Sequence, residues 1–371
     1  MAEAAAGFDA LRRVCAASLR GDRASVDEEE TVLLALAERH RVVPLLAAGL
    51  DGTFPAIRRR AMALAQQAAR LEHELSTIAD GLSKAGVEFL VLKGPAMARQ
   101  AYFSPDERAS DDLDLWVETR DHDAAVRALM SMGYERTSPM DGRTAACARR
   151  AGIETGLKHP GTGRLVELAH GWRALAPSRN AAAEVKRSSI GLEIAGADVR
   201  APSPAHALLL ACIHGAHHRW DRLGWIADVA GLWQRLSGEE RRAALATARR
   251  WRMKTLLEVG LQLAANCFGA DVGEAVGAGV SPGAVALIRR VGIEAIAADS
   301  PRAPMAERLR FEFDAQDFWA RRMGMLAGWI FVPTMGDIGA VALPVAAYPL
   351  YAIIRPLRLL RHSRWREWPM E

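Results

Sequence analysis

The sequence predicts an α+β protein in which a small mixed sheet with flanking helices lies between two helical regions. Short apolar segments rich in Val, Leu and Phe, typical of strands, occur between residues 87 and 168. Amphipathic patterns with helical spacing fill the chain before residue 85 and after residue 203. We therefore expect an N-terminal helical region over 1–80, a sheet-containing core over 81–201 and a C-terminal helical domain over 202–371.

Composition narrows the class of protein before any motif is considered. The chain has 371 residues, of which 50% are hydrophobic and 25% charged, and this is ample for a globular core. A net charge of +4 is spread along the chain, so we expect no DNA partner. The four cysteines have no paired spacing, and residues 1–30 hold no sustained apolar run. Both features predict reduced thiols, no signal peptide and a cytoplasmic location.

Four helices are predicted before the sheet. Residues 10–19 are amphipathic, and residues 28–40 begin with acids after Asp27, which we expect to cap that helix. The apolar pattern continues over 42–50. A long helix is predicted over 55–84.

The sheet is predicted to begin with a strand, a tight turn and a second strand. Residues 87–92 form an apolar segment that ends at Lys93-Gly94-Pro95, as a buried strand followed by a turn would. A short helix over 96–102 and a polar loop follow. The second strand, 112–117, reads DLDLWV and carries two carboxylates.

Asp112 and Asp114 are predicted to share one face of that strand, because alternate side chains of a strand point the same way. Two rises of ~3.3 Å separate them by about 7 Å, at which they repel unless a cation lies between them. Mg²⁺ prefers such oxygen ligands. The alternative is two solvated side chains on an edge strand; the apolar segment and the preceding glycine turn favour the metal site.

A third acid is predicted on a later strand. After a helix over 121–132 that ends at Gly133 and a short strand over 134–139, residues 154–158 and 164–168 read as a hairpin. Glu167 lies among apolar residues near its end. It is either a surface residue or the third carboxylate of the Asp site.

The helical domain carries polar residues that could face the site. A helix is predicted to start at Ser203-Pro204 and to run to about His218. His214 and His218, four apart, share its face. They either bind zinc or, as we favour in the absence of a fixed third ligand, donate hydrogen bonds in a cleft or core. Asp228, on the next helix, could pair with one of them.

The C-terminal residues are apolar and then basic. Residues 323–354 are interrupted by three prolines and Asp337, so no uninterrupted apolar run reaches the ~20 residues that a membrane-spanning helix needs. Residues 355–366 contain five arginines beside leucines and a tryptophan. We expect a solvated basic helix; the alternatives are contact with a membrane surface or with a peptide partner.

Three carboxylates on two strands, with a glycine turn before the first pair, resemble the nucleotidyltransferase fold of the DNA polymerase beta superfamily. The chain more closely resembles a poorly characterised bacterial nucleotidyltransferase family with an LKG turn, an Arg-x-x-x-Asp-x-Asp stretch and a "(D/E)LHW"-like strand. Here these are residues 92–94, 108–114 and 167–172. Residues 211–233 and the C-terminal FVPTMGD segment also look like that family.

Two departures from the pattern stand out. The turn is Lys-Gly where the superfamily usually has Gly-Ser, so phosphate binding would rely on Lys93. The later strand has one extra residue before His170, and Glu167 replaces the commoner Asp, which leaves the aim of Glu167 open.

The resemblance implies transfer of a nucleoside monophosphate from a nucleoside triphosphate, with ATP expected, to a small molecule or peptide. Family members often have genes near clusters for peptide natural products, lasso peptides among them. The implied residues are Asp112, Asp114 and Glu167 for catalysis and two Mg²⁺ ions, Lys93, Gly94 and Arg108 for the nucleotide, and His170, His214, His218 and Asp228 near the substrate. The role of Glu167 stays open between metal ligand, general base and both. Alternative functions are a non-catalytic nucleotide-binding or antitoxin-like module and a peptide-binding tailoring partner.

Overall fold

The protein is described by a computed structural model that covers residues 2–138, 140–171, 179–276, 279–292, 296 and 305–361. Its fold is mixed α+β, as predicted, with helices on both sides of a five-stranded sheet and a separate two-stranded hairpin. The strands are β1 (Phe89–Val91), β2 (Asp112–Val117), β3 (Glu135–Arg136), β4 (Thr155–Lys158), β5 (Leu165–His170), β6 (Ile190–Ile194) and β7 (Ala197–Ala201).

The helices divide into those before, within and after the sheet. The first group is α1 (Ala2–Leu19), α2 (Glu30–His40), α3 (Val43–Gly49) and α4 (Pro55–Lys84). The second is α5 (Pro95–Ala101), α6 (His122–Ser131), α7 (Gly142–Ala151) and α8 (Arg179–Arg187). The third is α9 (Pro204–His217), α10 (Leu223–Arg235), α11 (Gly238–Arg250), α12 (Lys254–Phe268), α13 (Gly273–Val276), α14 (Pro282–Val291), α15 (Met305–Asp314), α16 (Trp319–Phe331), α17 (Met335–Ala340) and α18 (Tyr351–Arg361).

The sheet has the strand order β1-β2-β5-β4-β3, with β2 and β5 parallel and every other pair antiparallel. The register of the parallel pair places Asp114 opposite Glu167, two of the three carboxylates of the predicted site. The hairpin β6-β7, absent from our sequence prediction, packs beside β1.

The two faces of the sheet have different neighbours. Leu113, Leu115 and Val117 share a buried cluster with residues of α4 and α6. Trp116 and Ala169, on the opposite face, belong to a second cluster that also contains residues of α1 to α3 and of α9 to α12. Helices that precede the sheet in the chain and helices that follow it therefore share one core against the face that carries Trp116 and Ala169. The predicted boundary at residue 80 falls inside α4, and the division into three regions stays a prediction.

Two predicted caps are wrong in detail. Helix α2 begins at Glu30 with Glu29 at its N-cap, so Asp27 does not cap it. Ser203 does occupy the N-cap of α9, but its hydroxyl contacts His206 Nδ1 at 2.7 Å and caps no backbone N–H. The Ser203 hydroxyl thus makes its hydrogen bond with the imidazole of His206, not with a backbone N–H of the first helical turn as the sequence predicted.

The C-terminal helices differ from the predicted solvated basic helix. Asp337 is fully buried and pairs with Arg355 at 2.6 Å and with Arg358 at 2.7 Å. The first two arginines of the basic stretch are therefore internal partners, whereas Arg361 is exposed. Arg364 and Arg366 lie outside the described residues, so the membrane-surface contact stays a prediction. None of the described helices combines the length and apolarity that crossing a membrane requires.

Candidate active site

The three predicted acids meet on one face of the sheet. Asp112 and Asp114 alternate along β2, and Glu167 is the register partner of Asp114 on the parallel strand β5. Asp114 is 9% exposed, and Asp112 and Glu167 are half-buried. Strand alternation and register therefore hold three carboxylates together at the edge of a cleft.

Two of these acids, Glu167 and Asp112, have raised pKa values. Burial raises the pKa of Glu167 to about 7, with further contributions from the negative charges of Asp114, Asp112 and Glu154. The pKa of Asp112 is also raised, first by burial and then by Asp114. Because one negative charge disfavours the next, the cluster favours a cation.

Lys93 provides one such cation. Its Nζ lies 2.8 Å from Asp114 Oδ1. Burial alone would lower the pKa of Lys93, but the attraction of Asp114 and its hydrogen bond outweigh that effect and raise it. Gly94 follows with φ 58° and ψ −125°, a conformation that residues with a Cβ rarely adopt. The glycine turn thus lets the chain leave β1 while Lys93 remains against the acids.

Arg108 is held by Asp228 of α10. Its Nε and Nη2 donate to the two carboxylate oxygens of Asp228 at 2.8 and 3.0 Å, and Tyr102 Oη donates to the same group at 2.8 Å. Arg108 Nη1 also donates to Ser110 Oγ at 2.9 Å. Asp228 therefore pairs with Arg108 and Tyr102, and the suggested pairing of Asp228 with a histidine is wrong. The network ties the loop before Asp112 to α10.

The histidines separate into two places. His214 and His218 line the cleft and pack on Trp225, with ring centroids 4.6 and 5.1 Å away. Burial lowers the pKa of His214, and the positive charge of Lys93 adds to this effect, so the ring is neutral. Within the described residues, no three His, Cys, Asp or Glu side chains are grouped as metal ligands, so the zinc alternative has no third partner.

His170 does not reach the cleft. It lies three positions after Glu167 on β5, and strand alternation places it on the opposite face, where its ring meets that of His122 at 4.5 Å. The predicted substrate-side position of His170 is therefore wrong. Trp172, the last residue of the motif, lies outside the described residues.

The cleft has a volume of about 340 Å³ and is enclosed by the sheet edge, the loop before β2, α9, the start of α10 and the turn after α2. Seven carboxylates and four cationic side chains are among the described residues that line it. A polyanion can enter such a lining only when cations offset its acidic excess.

The site lies within a region that matches a known family. Residues 27–269 match the sequence profile described as "uncharacterised nucleotidyltransferase", which is more than half of the chain. The chain belongs to this nucleotidyltransferase family. All of the cleft-lining residues of this nucleotidyltransferase fall inside the matched region.

Two further comparisons add little. No curated protein matches the nucleotidyltransferase chain in sequence. A crystal structure of an antigenic nucleotidyltransferase-like protein from Paracoccidioides brasiliensis is similar, with 18% identity and a TM-score of 0.32, over 58% of this chain and 95% of the other.

The donor set of the nucleotidyltransferase cleft fits Mg²⁺. The three acids offer only hard oxygen ligands, and the ammonium of Lys93 already occupies a cation position beside Asp114. Their side chains are not drawn together as a ligand group in the described structure. A metal bound to Asp114 would compete with Lys93 for that carboxylate.

Two cleft-lining arginines were missed by sequence analysis. Arg41 lies directly after α2 with φ 58°, and Arg222 directly precedes α10. No motif marks either residue, because each reaches the cleft only through the packing of distant helices. The left-handed backbone of Arg41, a position that favours glycine, could not be recognised from the sequence.

Proposed function

We propose that this chain transfers a nucleoside monophosphate from a nucleoside triphosphate to an acceptor, with Asp112, Asp114 and Glu167 as its catalytic acids. The observation that carries this proposal is the convergence of the three carboxylates on one sheet face at a cleft. Membership of a nucleotidyltransferase family supports the same reaction class. The first triphosphate to test is ATP.

The reaction is an exchange at the α-phosphorus. A nucleophilic oxygen or nitrogen of the acceptor forms a bond to that phosphorus, the bond to the bridging oxygen of the β-phosphate breaks, and pyrophosphate leaves. The acceptor's proton must be removed. Glu167 would position the acceptor and take up this proton; its pKa is raised to about 7 in the metal-free protein, and bound Mg²⁺ would lower that pKa because cations favour the charged carboxylate.

Asp112 and Asp114, with Glu167, would hold two Mg²⁺ ions. When bound, Mg²⁺ supplies charge neutralisation to the triphosphate and lowers the pKa of the attacking group. The acidic excess of the lining supports this requirement, since a triphosphate alone would meet net repulsion. In the loaded protein Glu167 would serve as ligand and acceptor-positioning group together.

Lys93 and Gly94 would contact the phosphates from the sheet side. Lys93, once separated from Asp114, presents its charge beside the triphosphate. Pro95 has no N–H, so backbone donors in the turn are limited to Gly94 and the residues after Pro95. This makes the lysine more important here than in a Gly-Ser turn.

The acceptor would lie against the helical side of the cleft, where Trp225, His214 and His218 form an aromatic wall. Such a wall suits a flat or apolar group, as a small molecule or a peptide side chain could supply. Tailoring of peptide natural products is one setting for this chemistry. We propose the cytoplasm as its compartment, since the four cysteines are free, buried thiols.

The test is incubation of the full-length protein with isotopically labelled NTPs, Mg²⁺ and a panel of small-molecule and peptide acceptors, followed by mass spectrometry for an added nucleoside monophosphate. Asp112→Asn with Asp114→Asn should abolish transfer while circular dichroism shows an intact fold. Full activity in this double variant would refute the assigned acids.

A second function is favoured by one observation: Lys93 neutralises Asp114 from within the protein. A non-catalytic nucleotide-binding module could retain such an internal pair permanently. In that case ATP would bind with the same affinity with and without Mg²⁺, and no acceptor in the panel would gain a nucleoside monophosphate. Mg²⁺-dependent transfer to any acceptor excludes this module.

A further inference from the structure

The cationic side chains of the cleft are not equally available to a ligand. Arg108 is 12% exposed and is paired through two hydrogen bonds with Asp228, itself 7% exposed. Separating that pair would leave two buried charges without partners, which is strongly unfavourable. Lys93 is engaged with Asp114. In the ligand-free protein, neither Arg108 nor Lys93 is therefore available to bind a phosphate group.

Arg41 and Arg222 differ from those two residues. Arg41 pairs with Asp111, but both side chains are substantially exposed, at 33% and 51%, so this pair is weak. The side chain of Arg222 makes no hydrogen bond or ion pair with the described residues. Both arginines line the cleft that contains Asp112 and Asp114.

The segments that carry Arg41 and Arg222 are held against each other although they are distant in the chain. The N–H of Leu223 donates to His40 Nδ1 at 3.4 Å in a buried position. A Cβ on Gly224 would lie 3.1 Å from the carbonyl oxygen of His40, so the glycine permits this close approach. The residues that flank Arg41 and Arg222 are thus fixed against each other.

Electrostatics support their proximity. The pKa of Arg41 is lowered first by burial and then by the positive charge of Arg222, whereas Asp112 acts in the opposite direction. Two arginines whose positive charges act on each other at the lining of one cleft are suited to an anion with several charges. Guanidinium groups bind phosphate oxygens through paired hydrogen bonds.

We propose that Arg41 and Arg222 bind the β- and γ-phosphates of the nucleoside triphosphate. This inference rests on the proposed function and assigns the β- and γ-phosphates to the helical regions, which leaves the α-phosphate to the Lys93-Gly94 turn on the sheet side. The α-phosphate then lies toward Asp112 and Asp114, and the phosphate chain extends across the cleft.

The test measures binding rather than turnover. Isothermal titration of the full-length protein with inorganic tripolyphosphate and with a non-hydrolysable ATP analogue, each with Mg²⁺, gives affinities without an acceptor. Arg41→Gln and Arg222→Gln should each weaken both affinities by about tenfold, the scale of one charge-assisted contact. Adenosine affinity should change less than about twofold, because adenosine carries no phosphate. Arg41→Lys and Arg222→Lys should restore part of the loss.

A gain-of-affinity variant guards against misfolding. Asp111→Asn removes the competing partner of Arg41 and should tighten tripolyphosphate binding by about twofold to fivefold, the scale of one exposed ion pair. Arg59→Gln is the matched control: Arg59 is exposed on α4 outside the cleft, so the same loss of charge should leave both affinities unchanged.

The outcomes separate this inference from the proposed function. Unchanged tripolyphosphate affinity in the double variant Arg41→Gln with Arg222→Gln, or no binding by the unmodified protein, overturns the inference even if nucleotide transfer occurs. The expected losses together with no transfer to any acceptor would uphold the phosphate site and refute the enzymatic proposal.

Discussion

At the scale of single residues, Lys93 offsets part of the negative charge of the site. Its ammonium lies 2.8 Å from Asp114 Oδ1 and neutralises one of three neighbouring carboxylates. On the proposed function, a metal bound to Asp114 would compete with Lys93 for that carboxylate.

Lys93→Met should lower the stability of the metal-free protein and raise its affinity for a metal ion. The change leaves a buried carboxylate without its partner, so the free energy of unfolding in EDTA should fall by about 1–3 kcal/mol. Mn²⁺ affinity, measured by electron paramagnetic resonance, should rise by about tenfold because no internal cation must leave. Lys84→Met, which removes an exposed pair with Asp80, is the control and should change neither quantity appreciably. Equal or weaker Mn²⁺ binding by Lys93→Met would show that Lys93 does not compete for the site.

Glu167 predicts a pH dependence of stability in the metal-free protein. Its pKa is about 7 when folded and about 4.3 in an unfolded chain, so the native state binds more protons between these values. Stability from this group is fully present below the unfolded pKa and is lost as the pH rises through 7. The free energy of unfolding of Glu167→Gln, relative to that of the unmodified protein, should therefore be about 1–3 kcal/mol higher at pH 8 than at pH 4.5.

Urea unfolding in EDTA at several pH values measures this difference. A stability difference that stays constant between pH 4.5 and pH 8 would contradict the assigned environment of Glu167. With Mg²⁺ and NTP, the same variant should lose at least about 10²-fold in turnover, because the neutral amide cannot accept a proton and binds a cation more weakly than a carboxylate does.

At the scale of elements, local pattern was sufficient for some parts of the site and insufficient for others. The period of two places Asp112 and Asp114 together, and the glycine turn is visible in the sequence. The partner of Arg108 is not, because Asp228 lies 120 positions away. The hairpin β6-β7 had a usable signal in the sequence, because a two-residue turn that ends in Gly between apolar alternations is typical of hairpins. In the structure, both turn residues, Ala195 and Gly196, have positive φ.

The contact between α5 and α10 determines whether the hydrogen bonds of Asp228 with Arg108 and Tyr102 can form. A Cβ on Gly231 would lie 2.1 Å from the carbonyl oxygen of Ala101, so only glycine permits this approach. Asp228, which pairs with Arg108, lies three positions before Gly231 on the same helix. Small displacements of α10 would therefore move a buried ion pair.

Gly231→Ala should lower the free energy of unfolding by about 1–3 kcal/mol, because the added methyl group overpacks the helix contact. Turnover should fall as the loop before Asp112 loses its anchor. Gly328→Ala, in α16, is the matched control: outside the backbone of its own helix, no atom of the described residues lies within 4 Å of the added Cβ, and the change should stabilise the helix by about 0.5–1 kcal/mol. Thermal melts of both variants decide the point; a Gly231→Ala protein as stable as the control would contradict the close packing.

At the scale of the whole molecule, the core joins parts of the chain that the sequence suggested were separate. Residues of α1 to α3, of the site-bearing sheet face and of α9 to α12 form one buried cluster. Sequence patterns report which residues are apolar but not which distant helices meet. The predicted boundaries at 80 and 201 followed changes in local pattern, which carry no information about that shared core.

This arrangement predicts that residues 81–201 will not fold stably alone. Without the surrounding helices, Leu90, Met97, Trp116 and Ala169 on the site-bearing side would be exposed to water. Losing that burial costs about 25 cal/mol for each Å² of apolar surface, which a small sheet has little stability to offset. The isolated segment should show poor amide dispersion in NMR spectra and no cooperative melt. The full chain should unfold with coincident far-ultraviolet and near-ultraviolet transitions over its shared core. A folded segment with a cooperative melt near that of the full chain would establish the three regions as independent domains.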